Sequence, residues 1–116
     1  MAGTYRFKID QGATLRRILV WKKEDGTPVD LTDYTARMEI RDQAGGVLLY
    51  RLDTDNGGLT LGGEAGTITL HIPAATSTPW AWRAGVYDLE LIAPNGDVVR
   101  LIQGGLQVVP EVTTGA

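Results

Sequence analysis

The 116-residue sequence has no cysteine, a single histidine and a single phenylalanine. The missing cysteines exclude disulfides, thiolate nucleophiles and cysteine-ligated metals together. The one histidine, His71, leaves little material for a general base or a histidine metal site. No apolar run approaches the ~18 residues needed to span a bilayer. Met1 to Asp10 is polar and charged, without the apolar stretch of a signal peptide. The chain therefore reads as soluble and cytoplasmically made. Its net charge of −3 is too small to single out a partner, and nucleic-acid binders are usually basic.

Glycine is abundant. Fifteen glycines in 116 residues is about twice the usual ~7%, which points to many tight turns and short strands. Charge is uneven. Residues 1–58 carry nine basic and nine acidic side chains, and residues 59–116 carry two and five. The charge-poor second half is where central strands or a contact surface are expected.

Period-two patterning recurs between turn signals. Tyr5, Phe7 and Ile9 alternate with Arg6 and Lys8, and Gln11-Gly12 ends that run. Thr14 to Lys23 is a second run, in which the adjacent Arg16 and Arg17 upset the alternation and suggest a bulge. Ala36, Met38 and Ile40 alternate with Arg37, Glu39 and Arg41. Further strands are expected over Val47–Leu52, Leu59–Leu61, Thr67–Ile72, Val86–Ile92, Val98–Ile102 and Leu106–Val109. Pro73 to Arg83 has room for one or two helical turns. Eight or nine short strands with turns every 8–12 residues predict one all-β domain over residues 1–112, with a frayed tail at 113–116. The expected core includes Phe7, Leu15, Leu19, Met38, Ile40, Ile68, Leu70, Tyr87, Leu89, Leu91 and Val108. Tyr87, two residues before Leu89, has the spacing of the tyrosine corner of immunoglobulin-like antiparallel β-sandwiches. A plain core tyrosine fits the same pattern.

Chemistry is sparse. By alternation His71 lies opposite Ile68, Leu70 and Ile72 and faces solvent. Asp53 to Gly57 resembles a calcium loop with Glu64 at the twelfth position, but Asp-Asn-Gly-Gly is also an ordinary β-turn. The glycines at 57–63 lack the lysine and hydroxyl of a phosphate loop. No catalytic, metal or cofactor residues are assigned, and no enzyme is expected. Trp21 ends an apolar strand and reads as core. Trp80 and Trp82 flank Ala81 in an irregular connection, as an interface anchor or as a lid on the sandwich.

Five segments carry a resemblance. They are Asp10–Leu15 with Trp21, Pro28–Met38, Gly66–Leu70, Gly85–Leu91 and Gly105–Thr113. Their order and spacing resemble small tailed-bacteriophage virion proteins, similar to the N-terminal domain of upper baseplate proteins and to collar proteins. Family members often have glycine after Asp-Leu-Thr, where this sequence has Asp33. The resemblance implies an immunoglobulin-like module, repeated by symmetry in the virion at a neck, tail or baseplate. Its partners would be copies of itself and other structural proteins, with no nucleic acid or membrane. The runner-up is a carbohydrate- or receptor-binding sandwich using Trp80, Trp82 and the Asp53–Asn56 loop. The C-terminal strands have few charges to guard an open edge. Trp80, Trp82, Val98, Arg100, Ile102, Leu106 and Val108 are therefore the expected protein-contact residues.

Overall fold

A computed structural model describes residues 3–113. It contains nine strands: β1 (Gly3–Thr4), β2 (Phe7–Asp10), β3 (Leu15–Val20), β4 (Thr35–Arg41), β5 (Leu48–Asp53), β6 (Leu59–Leu61), β7 (Thr67–Ile72), β8 (Ala84–Ile92) and β9 (Val98–Val109). A 3-10 turn (Gly63–Ala65) precedes β7, and one α-helical turn, α1 (Ala74–Ser77), follows it. Strand accounts for 51% and helix for 6%. Of the expected frayed tail, residues 114–116 lie outside the described residues.

The strands form two sheets. The larger has the order β9-β8-β4-β5, with β1 and β2 both running parallel to β9 on its far side. The smaller has the order β3-β7-β6. Sheets built from those chain positions make an immunoglobulin-like sandwich of the kind with an added strand beside β4. The inward residues of each strand meet between the sheets: Met38 and Ile40 from β4, Leu89 and Leu91 from β8, Ile68 and Leu70 from β7. Nine of the eleven expected core residues are buried; Leu15 and Leu19 are half-buried and pack against the rest. Trp21 is likewise half-buried against the core.

Two sequence expectations are corrected here. Strand β3 has no bulge at Arg16-Arg17 and pairs in one unbroken register with β7. Arg17 simply occupies an inward position, with its guanidinium 5.7 Å from the Phe7 ring centroid and a 3.1 Å hydrogen bond to the Tyr5 hydroxyl. Tyr87 makes no tyrosine corner. Its hydroxyl donates to the Tyr5 carbonyl (2.6 Å), tying β8 to the N-terminal segment. That segment reaches β9 because Gly104 lets it. A Cβ on Gly104 would lie 2.3 Å from the Tyr5 carbonyl oxygen, so only glycine admits so close a backbone.

The side chain of Gln11 fastens three separate parts of the chain. Its Nε2 donates to the carbonyls of Thr78 and Trp80, both at 2.9 Å, and its Oε1 accepts from the Glu111 N–H (3.1 Å). The neighbouring Gly12 N–H donates to the buried Ser77 Oγ (2.8 Å).

Candidate functional site

Position in the ladder decides which charges meet. Register sets Glu39 of β4 between Arg51 of β5 and Asp88 of β8, and sets Arg37 opposite Glu90. All of these side chains stand on the outer face of the large sheet, since Met38, Ile40 and Leu89 between them point inward. Glu39 Oε1 pairs with Arg41 (2.8 Å) and its Oε2 with Arg51 (2.7 Å), while Arg51 Nε also holds Asp53 (2.9 Å). Arg37 holds Glu90 (2.8 Å), and Arg100 approaches Asp88 at 3.4 Å. Each carboxylate sits opposite or diagonal to a guanidinium on a rigid sheet, the arrangement in which cross-strand pairs are favourable.

The lattice treats its acids differently. The hydrogen bonds from Arg41 and Arg51 hold the Glu39 carboxyl below its ordinary range. Partial burial pushes the Asp88 carboxyl up, and the nearby Glu90 charge adds to that. Asp88 is thus less well compensated than Glu39 beside it. Alongside lies an open cleft of about 490 Å³ between Glu39, Arg41, Val86, Asp88, Arg100 and Gln103, lined also by Ala44 and Gly45. The face offers charge and shape to a partner, and it brings together no nucleophile, base and orienting group.

The expected contact residues do not form one surface. Val98 and Arg100 are exposed on this face. Ile102 is half-buried and packs against the core, and Leu106 and Val108 are inside it at 3% and 1% exposure. All five are even-numbered, so strict alternation puts them on one side. The ladder instead shifts at Leu89/Glu90, which pair with Ile102 and Arg100, leaving Leu101 as an extra residue. That bulge turns everything after it to the opposite face. The expected open edge on β9 is covered by β1 and β2 from Ile102 onward, while among the described residues Val98–Leu101 pair only with β8.

Trp80 and Trp82 are half-buried and pack against the core. Their rings lie 4.7 Å apart, and Trp80 is 5.2 Å from Tyr50 of β5. They close the end of the sandwich where the chain crosses from β7 to β8, which is the lid and not a projecting anchor. The Asp53–Gly57 segment is a turn that spends its oxygens on itself. Asp53 Oδ1 accepts from the N–H groups of Asp55 and Asn56, and Asn56 Oδ1 from those of Asp53 and Gly58. The hydrogen bond from Arg51 and those turn amides hold the Asp53 carboxyl below its ordinary range. His71 lies on the outer face of the small sheet, paired with Arg16 and remote from the charged lattice.

No protein-family model matches the chain, and no curated protein matches it in sequence. Solved structures do match. The extracellular domain of the voltage-gated sodium channel β4 subunit, a parallel homodimer with a role in cell–cell adhesion, is similar at TM-score 0.50 and 11% identity. The match covers 97% of this chain and 96% of that one. Tim-1 gives 0.45 and 15%, covering 97% and 98%. Extracellular domains 3–5 of Drosophila OTK give 0.40 and 19% over 93% of this chain, which spans 33% of that longer one. At 11% identity the sodium-channel match speaks for the immunoglobulin-like fold alone.

Proposed function

We propose that this chain is a non-enzymatic binding module whose ligand is another protein, held on the charged outer face of the large sheet. The observation that carries the reading is the preorganised lattice of arginines and carboxylates beside the cleft. Charges fixed on a rigid sheet select a complementary partner and reject others more than they add raw affinity. The glycan-binding alternative loses support, because Trp80 and Trp82 stack on each other and the side-chain oxygens of Asp53 and Asn56 are already engaged. The virion role stands on the five resembling segments and supplies a setting for the same property. Neighbouring structural proteins would be the partners, and symmetric repetition would multiply weak contacts.

A photo-crosslinking residue at Gln103, on the outer face of β9, tests the reading in cells that produce the protein. One discrete protein adduct is expected there, and none from the same probe at Thr60 on the small sheet. Arg100→Glu should abolish the adduct. Glycan-array binding with no adduct at Gln103 would return the carbohydrate reading. Adducts at both positions alike would remove the face from consideration.

A further inference from the structure

Strand β3 is the one six-residue edge of the small sheet, and its backbone is half unused. The His71 N–H donates to Gly58, and the Gly62 N–H to Thr67, so the odd-numbered residues of β7 turn to the β6 side. Ile68, Leu70 and Ile72 therefore turn to β3, where Leu19, Arg17 and Leu15 answer them. The Trp21 N–H, donated to Gly66, continues that alternation. The N–H and C=O groups of Arg16, Ile18 and Val20 consequently point away from the sheet, and none has a partner among the described residues. The same three side chains stand on the outer face, with Ile18 64% and Val20 48% exposed. On β7 their neighbours are His71, Thr69 and Thr67, so the apolar exposure on this face is confined to the edge strand.

We propose that β3 pairs antiparallel with β3 of a second copy across a two-fold axis, joining two three-stranded sheets into one of six. A two-fold axis perpendicular to the sheet keeps both inner faces on one side, so residues of equal parity must pair. Among the possible registers, the one centred on Ile18 sets Ile18 against Ile18 and each Arg16 against the other copy's Val20. It also uses all three free N–H and C=O pairs of each strand. A shift of two residues toward the N-terminus sets Arg17 against Arg17, where like charges repel. A shift of two residues the other way sets Arg16 against Lys22, again like charges, so the side chains favour the register centred on Ile18. This contact lies on the opposite sheet from the charged lattice and does not depend on it.

The absence of cysteine makes the test clean. A hydrogen-bonded antiparallel pair has Cα atoms ~5.5 Å apart, within reach of a disulfide. Ile18→Cys should therefore oxidise to a covalent dimer. Arg16→Cys or Val20→Cys alone should do so at least tenfold more slowly, and a mixture of the two should cross-link rapidly. Sedimentation of the wild type should show mass rising toward two chains with concentration, and Ile18→Lys should remain monomeric with an unchanged circular dichroism spectrum. A wild type that stays monomeric throughout would overturn the pairing. So would a dimer that survives Ile18→Lys, or Arg16→Cys cross-linking alone as fast as Ile18→Cys.

Discussion

Strands β3 and β9 carry the two halves of one lesson. Strand β9 is twelve residues long, nearly uncharged and rich in β-branched and aliphatic side chains, and from Ile102 onward it lies inside its sheet, with β8 on one side and β1 and β2 on the other. Strand β3 carries two adjacent arginines and lies bare at the edge of the other sheet. The N-terminal segment decides this by pairing with β9 and leaving β3 open. A strand's charge follows its neighbours: the edge keeps arginines, which discourage indiscriminate pairing, and the covered strand can do without them.

The sharpest way to break that comparison is to stop the N-terminal segment from reaching β9. Gly104→Val places a side chain against the Tyr5 carbonyl, and the backbone cannot yield as a flexible side chain would. We expect a loss of about 3 kcal/mol or more in denaturant unfolding, from overpacking and lost ladder bonds. Gly105→Ala is the control. A Cβ there meets only Arg6 Nε at 3.9 Å, and the change should stay within ~0.5 kcal/mol. Equal effects at the two glycines would show that the N-terminal segment is not held by close approach.

Trp80→Ala comes next. A half-buried indole stacked on Trp82 and Tyr50 should be worth about 2 kcal/mol to folding. The effect should appear in the unfolding midpoint, whereas a tryptophan serving only a partner would leave the midpoint unchanged.

Tyr87→Phe should cost about 1 kcal/mol, since it leaves the Tyr5 carbonyl without its donor. Burial raises the Tyr87 phenol above its ordinary value near ~10. The native state thus favours the neutral phenol, and its contribution is complete below pH ~10 and declines as pH rises beyond it. Wild-type stability should fall more steeply above pH ~10 than that of Tyr87→Phe. Parallel curves would show that Tyr87 ionises equally in both states.

The smallest effect belongs to the charged face. Glu39→Gln should cost no more than ~0.5 kcal/mol at neutral pH, because partly exposed ion pairs contribute little. The lowered Glu39 carboxyl stabilises the fold above its unfolded pKa, and that contribution is lost as pH falls through the folded value. Asp88 runs the other way: its raised carboxyl favours the fold in acid and that contribution fades as pH rises. Glu39→Gln should therefore flatten the acid limb of the stability curve, and Asp88→Asn should steepen it.

Much of this architecture is legible from alternation alone. Ala36, Met38 and Ile40, and Ile68, Leu70 and Ile72, go inward because a half-buried strand must put every second residue in the core. Leu31 escapes that reading, since it is fully buried from a connecting loop with no period to betray it. The surface of β9 escapes it for a different reason. One extra residue at Leu101 reverses the faces of all that follow, and nothing local distinguishes Leu101 from its neighbours. The partner of the N-terminal segment depends on Gly104, nearly a hundred residues away. The paired glycines at 104–105 inside an otherwise β-branched strand were the one sign that another backbone comes close. The role of Gln11 had no sign at all, because its three partners come together only in the folded chain.

The parallel pairing of β2 with β9 also determines how the domain carries load. The two strands run side by side in the same direction, so the incoming end of β2 and the outgoing end of β9 lie at opposite ends of the ladder. Tension between the two ends of the chain therefore pulls along the strands. The ladder bonds from Phe7–Leu106 to Asp10–Val109 share the force and must fail together, where a hairpin pulled from its open end would unzip bond by bond. Single-molecule stretching should show one high-force rupture, with Tyr87→Phe and Gly104→Val lowering it in that order. A low, gradual extension would mean that β2 peels away before the sheet is loaded.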